Sequence, residues 1–201
     1  NAITVSGGDV YVAGHEMQAG LWVAKYWKNG VAVALTDGSK NADATDIALV
    51  GGDVYVSGHD GDIAKCWRNG QLVGPANAAF PSHAYGMAIN GADVYLAGMK
   101  EGKAVYWKND QDFTLSTVES SARSIFLSGT DVYIAGEQGN YFRSVASYWK
   151  NGQETILSGL SNGVTVNSIF VLGTDVYLTG FSYITNYQGG YFKNFKFIQL
   201  S

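Results

Sequence analysis

The hydrophobic pattern of this chain consists of short strand-like runs separated by turn residues, and it is clearest near residue 130. Ser124–Leu127 is predicted to be a first strand, Gly129–Asp131 a tight turn, and Val132–Ala135 a second strand that ends at Gly136. Such runs are apolar on both faces rather than alternating, which is expected when each sheet lies between two neighbouring sheets. The pattern therefore predicts stacked β-sheets.

The residues that follow predict a hairpin. Val145–Lys150 and Glu154–Leu157 are strand-like, and Asn151-Gly152 lies between them. Asn-Gly is the strongest short hairpin signal, because a type I′ turn needs positive φ at both central residues. Together the four runs predict a four-stranded up-and-down sheet with a longer loop after its second strand.

This stretch is one of five copies. Asp-Val-Tyr begins at five positions that are 38 to 44 residues apart, and each copy is followed by an aromatic pair leading into Lys or Arg and Asn: Asp9, Asp53, Asp93, Asp131 and Asp175. A period near 40 in strand-forming residues is typical of propeller blades. We therefore predict an all-β fold, a β-propeller with five blades of four antiparallel strands. The prediction is a single domain, 1–201, with repeats at about 1–44, 45–84, 85–122, 123–166 and 167–201.

The start of the chain resembles a cut made just before a strand. Ile3 lies six residues before Asp9, as Ile47 does before Asp53. This spacing suggests that the chain is a fragment of a longer protein.

Composition narrows the classes of partner. The 201 residues include 13 Lys and Arg against 17 Asp and Glu, a net charge of −4, and the basic residues are scattered, so we expect no nucleic-acid partner. No long hydrophobic run is present, so we expect no membrane insertion. The low charged fraction, 15%, with abundant Gly, Ser, Asn and Tyr favours an extracytoplasmic location, secreted or on the bacterial cell surface.

A recurring aromatic residue and a small residue three positions before it predict the core of each blade. The small residues are Ala24, Ala64, Ala104, Ala146 and Gly189, and the aromatic residues are Trp27, Trp67, Trp107, Trp149 and Phe192. A large ring facing a small side chain allows repeated sheets to interlock, so the rings are predicted to be buried. Cys66 stands where the other copies have Tyr26, Tyr106, Tyr148 and Tyr191, and it is predicted to be a buried substitution.

The repeat also resembles a known group. Asp-Val-Tyr-Val-Ala-Gly at residues 9–14 and Ala-Lys-Tyr-Trp-Lys-Asn-Gly at residues 24–30 resemble the propeller-type repeats of predicted bacterial secreted or cell-surface proteins. The resemblance extends over essentially the whole chain, although the fifth copy departs from it at Tyr191–Phe195. It implies the same fold and location, and it brings no assigned activity, cofactor or catalytic residue.

One end of the predicted propeller carries all the long, variable loops, where binding residues concentrate on a rigid scaffold. His15, His59 and His83 lie there, and the first two precede the carboxylates Glu16 and Asp60 in equivalent positions. Two interpretations are open: a metal site with two His and two carboxylates, or histidines that are merely solvated in loops. Because the later copies lack this pair, we predict solvated loop histidines, no metal and no cofactor.

Glycoside hydrolysis needs two or three carboxylates at one site. The residues before the innermost strands, which are expected to ring the funnel mouth, are Ala2, Asp46, Gly86, Ser124 and Ser168, preceded by Asn1, Thr45, Tyr85, Arg123 and Asn167. Only Asp46 is acidic in this ring. Asp43, Glu119 and Glu137 are loop acids that could bend inward, but no acid pair with separate roles can be identified. No catalytic residue is therefore predicted, and the protein is not expected to be an enzyme.

The same ring predicts a polar ligand-binding site. Arg123 offers a planar donor fork, Asp46 an acceptor, Asn167 both, and Tyr85 a ring face. The alternative is that these four residues only hydrate a channel. Further candidates for ligand contact are peripheral aromatic residues: Trp22, Phe80, Tyr141, Phe142, Phe181, Tyr183 and Tyr187.

These features together predict a monomeric, non-catalytic binding or interaction module that binds a carbohydrate or protein ligand at the long-loop face. Two alternatives remain open at this point: a structural spacer within a surface protein, and a glycan-processing hydrolase.

Overall fold

The structure is a computed structural model that describes residues 1–75, 80–139, 144–157, 163–182 and 188–200. The regular elements of these residues are twenty β-strands: β1 (Ala2–Ser6), β2 (Asp9–Gln18), β3 (Leu21–Lys28), β4 (Val31–Ala34), β5 (Ala42–Val50), β6 (Asp53–Asp60), β7 (Ile63–Arg68), β8 (Gln71–Gly74), β9 (Ser82–Asn90), β10 (Asp93–Lys100), β11 (Lys103–Lys108), β12 (Gln111–Thr114), β13 (Ser120–Ser128), β14 (Asp131–Gln138), β15 (Val145–Lys150), β16 (Gln153–Ile156), β17 (Val164–Leu172), β18 (Asp175–Ser182), β19 (Gln188–Lys193) and β20 (Lys196–Gln199). No helix within the described residues has the length and apolar character that crossing a membrane would require.

The strands form five antiparallel sheets, each of four consecutive strands in up-and-down order. We call them blades 1 to 5, from β1–β4 to β17–β20. The predicted fold class, an all-β propeller of four-stranded blades, is confirmed. The chain also divides into two compact units: unit 1 comprises residues 1–96 and 107–111, and unit 2 comprises residues 97–106 and 112–201.

The hairpin turns have the predicted chemistry. Asn29 and Gly30 have φ of 48° and 83°, and Asn151 and Gly152 have φ of 52° and 82°. These angles confirm that both central residues of the Asn-Gly turns adopt the left-handed region.

A side-chain cluster beside the third-strand turn explains why Asp-Val-Tyr and Lys-Asn-Gly recur. In blade 4, Asn151 donates from Nδ2 to Asp131 Oδ1 at 2.8 Å and accepts at Oδ1 from the Val132 N–H at 2.8 Å. Lys150 Nζ lies 2.8 Å from Asp131 Oδ2 and 5.0 Å from the centroid of the Tyr133 ring. The hydrogen bonds from Lys150 and Asn151 lower the pKa of Asp131. The other blades repeat the cluster with Asp9, Tyr11, Lys28 and Asn29; Asp53, Tyr55, Arg68 and Asn69; Asp93, Tyr95, Lys108 and Asn109; and Asp175, Tyr177, Lys193 and Asn194.

The recurring aromatic residues pack in the core, as predicted. Trp67, Trp107, Trp149 and Phe192 are buried, and Trp27 is half-buried. In unit 1 a buried cluster joins facing residues of blades 1 and 2, and in unit 2 a second one joins blades 4 and 5. Hydrophobic packing between sheets is therefore the main support of each unit.

The strands are longer than the hydrophobic pattern predicts, and a bulge explains the difference. β13 begins at Ser120 and its pairing with β14 shifts between Ala122 and Ser124, so Arg123 is the extra residue. Gly136 does not end its strand. A Cβ atom there would lie 2.0 Å from the carbonyl oxygen of Ser121, so glycine is needed because two backbones approach closely.

Candidate functional site

The prediction that the three histidines are solvated in loops is wrong. His15 lies in β2, His59 in β6 and His83 in β9, because the glycines before the first two histidines do not end their strands. All three belong to unit 1. Strand pairing and sheet packing bring them together with acidic residues of blade 2.

His15 and Asp43 form the first contact of this cluster. His15 Nδ1 lies 2.7 Å from Asp43 Oδ1, and Asn1 donates from Nδ2 to the same oxygen at 2.7 Å. The ring of Trp22, 39% exposed, packs edge-on against His15 with 4.4 Å between centroids. The Asp43 carboxylate is therefore oriented by two neighbours beside an exposed aromatic ring.

His59 and His83 form the second contact. Their ring centroids are 4.4 Å apart, and the His83 ring is nearly parallel to the Tyr85 ring with the centroids 6.3 Å apart. Burial, and next the charge of His83, lower the pKa of His59. Nδ1 of His59 and Oδ1 of Asp60 are buried without a hydrogen-bond partner. His59 is thus favoured in its neutral form.

Asp46 connects blade 2 to blade 3 within unit 1. Its Oδ1 accepts from the Ile47 N–H and its Oδ2 from the Met87 N–H, both at 2.8 Å. Thr45 donates from Oγ1 to the carbonyl oxygen of Ala84 at 2.9 Å. Burial raises the pKa of Asp46 although these backbone hydrogen bonds oppose the rise.

A bulge at Thr45 lies between Asp43 and Asp46 in β5. Asp43 pairs with His59 and Asp46 with Ser57, and the register shifts between Ala44 and Asp46. The Asp43 carboxylate contacts His15 and Asn1 of blade 1, whereas the Asp46 carboxylate binds the backbone of blade 3. Unit 1 therefore holds two carboxylates on β5 and three histidines, one each from blades 1, 2 and 3. We call Asp43, Asp46, His15, His59 and His83 the histidine–carboxylate cluster.

The four predicted ligand-binding residues are divided between the units. Asp46 and Tyr85 lie in unit 1, where β5 packs on β9 and Asp46 binds the backbone two residues beyond Tyr85. Arg123 and Asn167 lie in unit 2, each at the bulge of the first strand of its blade. Asn167 is exposed.

Arg123 has a partner that the sequence analysis missed. Its Nε and Nη2 lie 2.8 and 2.7 Å from Glu137 Oε1, and Ser121 donates from Oγ to the same oxygen at 2.7 Å. Glu137 is buried, and its Oε2 has no hydrogen-bond partner. The guanidinium that was predicted to face a ligand therefore offsets the charge of a buried carboxylate.

Sequence reasoning named Asp43 only as a loop acid, because it lies three residues before Asp46 and outside the expected ring of the funnel mouth. An extra residue between a buried Ala42–Ala44 alternation and Ile47 is the signal that could have revealed the bulge. The candidates Tyr141, Phe142, Tyr183 and Tyr187 lie outside the described residues.

Among the residues that the structure describes, His, Cys, Asp and Glu form no group of three or more arranged to hold a metal ion.

Comparisons with known proteins show the fold and leave the family open. No protein-family model and no curated protein matches the chain. A chain of a nidogen/laminin complex is similar at 11% identity and a TM-score of 0.54, over 98% of this chain and 76% of that one. Drosophila Semaphorin 1b, extracellular domains 1–2, is similar at 12% identity and a TM-score of 0.53, over 86% of this chain. The present chain spans 49% of that semaphorin chain.

An α-L-arabinofuranosidase of glycoside hydrolase family 43 from Clostridium thermocellum is also similar, at 12% identity and a TM-score of 0.47, over 89% of this chain and 80% of that one. Two further similar structures are glycoside hydrolases of the same family. These findings correct the prediction of a non-catalytic binding module that is not an enzyme, and they agree better with the alternative of a glycan-processing hydrolase. At identities of only 9–12%, these similarities concern the fold, and an activity of this chain depends on its own residues.

Proposed function

We propose that the protein is a hydrolase of glycosidic bonds, with its reaction centre at the histidine–carboxylate cluster. One observation carries the proposal: β5 holds two carboxylates in different environments, Asp46 buried against the backbone of blade 3 and Asp43 beside His15 of blade 1. Two carboxyl groups held in different environments can take the roles of proton donor and charged partner.

Asp46 is the proposed proton donor. Burial raises its pKa, so it retains a proton more readily than an exposed aspartate. Both of its oxygens accept backbone hydrogen bonds, which fix the orientation of the carboxyl group. A donor held in this way can protonate the leaving oxygen of a glycoside without first reorganising.

Asp43 is the proposed second carboxylate. It is oriented by Asn1 and contacts His15, and its side chain is 25% exposed, so water can reach it. A carboxylate that water can reach can act as a general base toward that water, so the proposal assigns this role to Asp43.

Aromatic rings near the carboxylates provide surfaces for a sugar. Trp22 packs against His15 and remains 39% exposed, and Tyr85 is half-buried beside His83. Carbohydrate is therefore the proposed ligand. A glycan substrate and the low charged fraction, 15%, also support a location outside the cytoplasm.

The test is hydrolysis of a panel of 4-nitrophenyl glycosides and short oligosaccharides by the parent chain and by Asp46→Asn and Asp43→Asn. Each variant is expected to lose 100-fold or more in kcat/KM, roughly the contribution of one general acid or base. Asp112→Asn, a surface carboxylate in unit 2 paired with Lys100, is the matched control and should retain activity. Equal activity of Asp46→Asn, Asp43→Asn and the parent would refute the proposed centre, and NMR of the first product anomer shows whether the configuration is inverted or retained.

A further inference from the structure

Unit 1 contains a cavity between blades 2 and 3. It has a volume of about 240 Å³, and its walls include Tyr55 and Cys66 of blade 2 and Val94 and Leu96 of blade 3. Arg68 and Asn109 line it as well. The inner wall is apolar, and the exposed Arg68 and Asn109 place polar groups at its mouth.

The cavity lies where the repeat lacks an aromatic ring. Cys66 pairs with Ser57 as Tyr26 pairs with Ala13, so the two side chains occupy equivalent positions in their blades. Tyr26 is buried in the cluster that joins blades 1 and 2, and Tyr148 is buried in the corresponding cluster of unit 2. A thiol in place of a phenol ring leaves this space unfilled.

The neighbouring strand does not compensate for the missing ring. The residues that pair with the tyrosines are Val33, Thr155 and Ile198 in blades 1, 4 and 5. Cys66 instead pairs with Gly74, and the register shifts directly after it. A Cβ atom at Gly74 would lie 2.8 Å from Asp110 Oδ1, so this position stays small.

We propose that this cavity binds a small para-substituted phenol, the side-chain chemistry that the other repeats place there. An apolar cavity of roughly 150 Å³ can hold a benzene ring, so the present volume is sufficient for a substituted one. The ring would lie between the side chains of Tyr55 and Leu96, and the phenol oxygen or the para substituent would reach the polar mouth. The site is separate from the histidine–carboxylate cluster, since none of the five residues of that cluster lines the cavity.

Cys66 itself contributes shape rather than reactivity. It is 2% exposed, and burial raises its pKa to about 12, so a thiolate does not form near neutral pH. The ligand is therefore expected to bind reversibly and without covalent attachment.

The test is a titration of the parent chain with 4-fluorophenol observed by ¹⁹F NMR, and with 4-methylphenol in thermal unfolding. Saturable binding with a Kd of about 1 mM or tighter is expected for a ligand of this size. Cys66→Tyr fills the cavity with the chain's own ring and should weaken binding by about tenfold or more. Cys66→Ala leaves the cavity open and should bind the phenol as the parent does.

Val94→Phe fills the cavity from the other wall, so the test holds even where Cys66→Tyr does not fold. Asp46→Asn should leave phenol binding unchanged, and Cys66→Tyr should leave glycoside hydrolysis unchanged, which separates this site from the proposed reaction centre. Absence of saturable binding to the folded parent, or equal binding by Cys66→Tyr, Val94→Phe and the parent, would overturn the proposal.

Discussion

A Cβ atom added to Gly58 would lie 1.9 Å from the carbonyl oxygen of Asp43. The contact lies beside the bulge at Thr45, where Ala44 of β5 pairs with Gly58 of β6. At the equivalent Gly136 and Gly180 of blades 4 and 5, an added Cβ atom would lie 2.0 and 2.1 Å from the carbonyl oxygens of Ser121 and Thr165. Close approach of two backbones therefore requires glycine at this position in each of the three blades.

Gly58→Ala is expected to destabilise the protein by about 1–3 kcal/mol or more, because the backbone of β5 has to move to admit the methyl group. Gly189→Ala, at a position where an added Cβ atom meets nothing within 4 Å, should change the free energy of unfolding by about 0.5 kcal/mol or less. Urea unfolding of both variants measures the difference. Similar losses in the two variants would show that the bulge does not impose the glycine.

Trp107→Ala is expected to destabilise by about 3–5 kcal/mol, since this ring is 2% exposed and its removal leaves a large cavity. Trp27→Ala is the matched control, because Trp27 occupies the same place in the repeat but is half-buried. The free energy of unfolding should fall less in Trp27→Ala than in Trp107→Ala. A loss below about 1 kcal/mol for Trp107→Ala, measured by chemical denaturation, would contradict the core assignment.

The local chemistry of the repeat could be predicted because it is contained in a few adjacent residues. Asn151-Gly152 specifies a turn through its φ angles, and the buried Trp149 follows from a repeated spacing. Bulges could not be predicted in this way. The extra residues Thr45 and Arg123 are recognised only from strand register, which depends on the partner strand.

The candidate site was predicted less completely than the fold for the same reason. Asp46 was identified from its position before a strand, but its relation to Asp43 and the contact between His59 and His83 depend on register and on sheet packing. Arg123 was identified without its partner Glu137, which lies 14 residues away on the paired strand.

Stability should fall as the pH is lowered below about 6.5, the ordinary pKa of histidine, because the folded-state pKa of His59 is depressed. In this range the unfolded chain binds a proton that the folded protein does not, so the free energy of unfolding rises with pH. The loss grows until the pH reaches the folded-state pKa and is constant below it. The charges of His83, Asp43, Asp60 and Asp62 act on this histidine.

Urea unfolding of the parent and of His59→Gln between about pH 5 and pH 8 measures this effect. The variant lacks the buried imidazole and should show a shallower dependence on pH. An unchanged slope in His59→Gln would assign the pH dependence to other groups.

Tyr26→Cys should reproduce in blade 1 the vacancy that Cys66 leaves in blade 2. Tyr26 is 9% exposed and packs in the cluster of blades 1 and 2, so the loss of its ring should cost about 2–5 kcal/mol. Added 4-methylphenol should recover part of this loss, since a ligand that binds only the folded state stabilises it by about 1.4 kcal/mol at ten times its Kd. The recovery is measured as the rise in Tm with phenol concentration.

The control is Tyr26→Cys combined with Cys66→Tyr, which retains only the new cavity. Because Val33 still lines that cavity where Gly74 lines the natural one, the phenol should bind the double variant more weakly than it binds the parent. A double variant whose Tm does not respond to the phenol would show that a missing tyrosine ring alone does not form a site. The register shift beside Gly74 would then be needed as well.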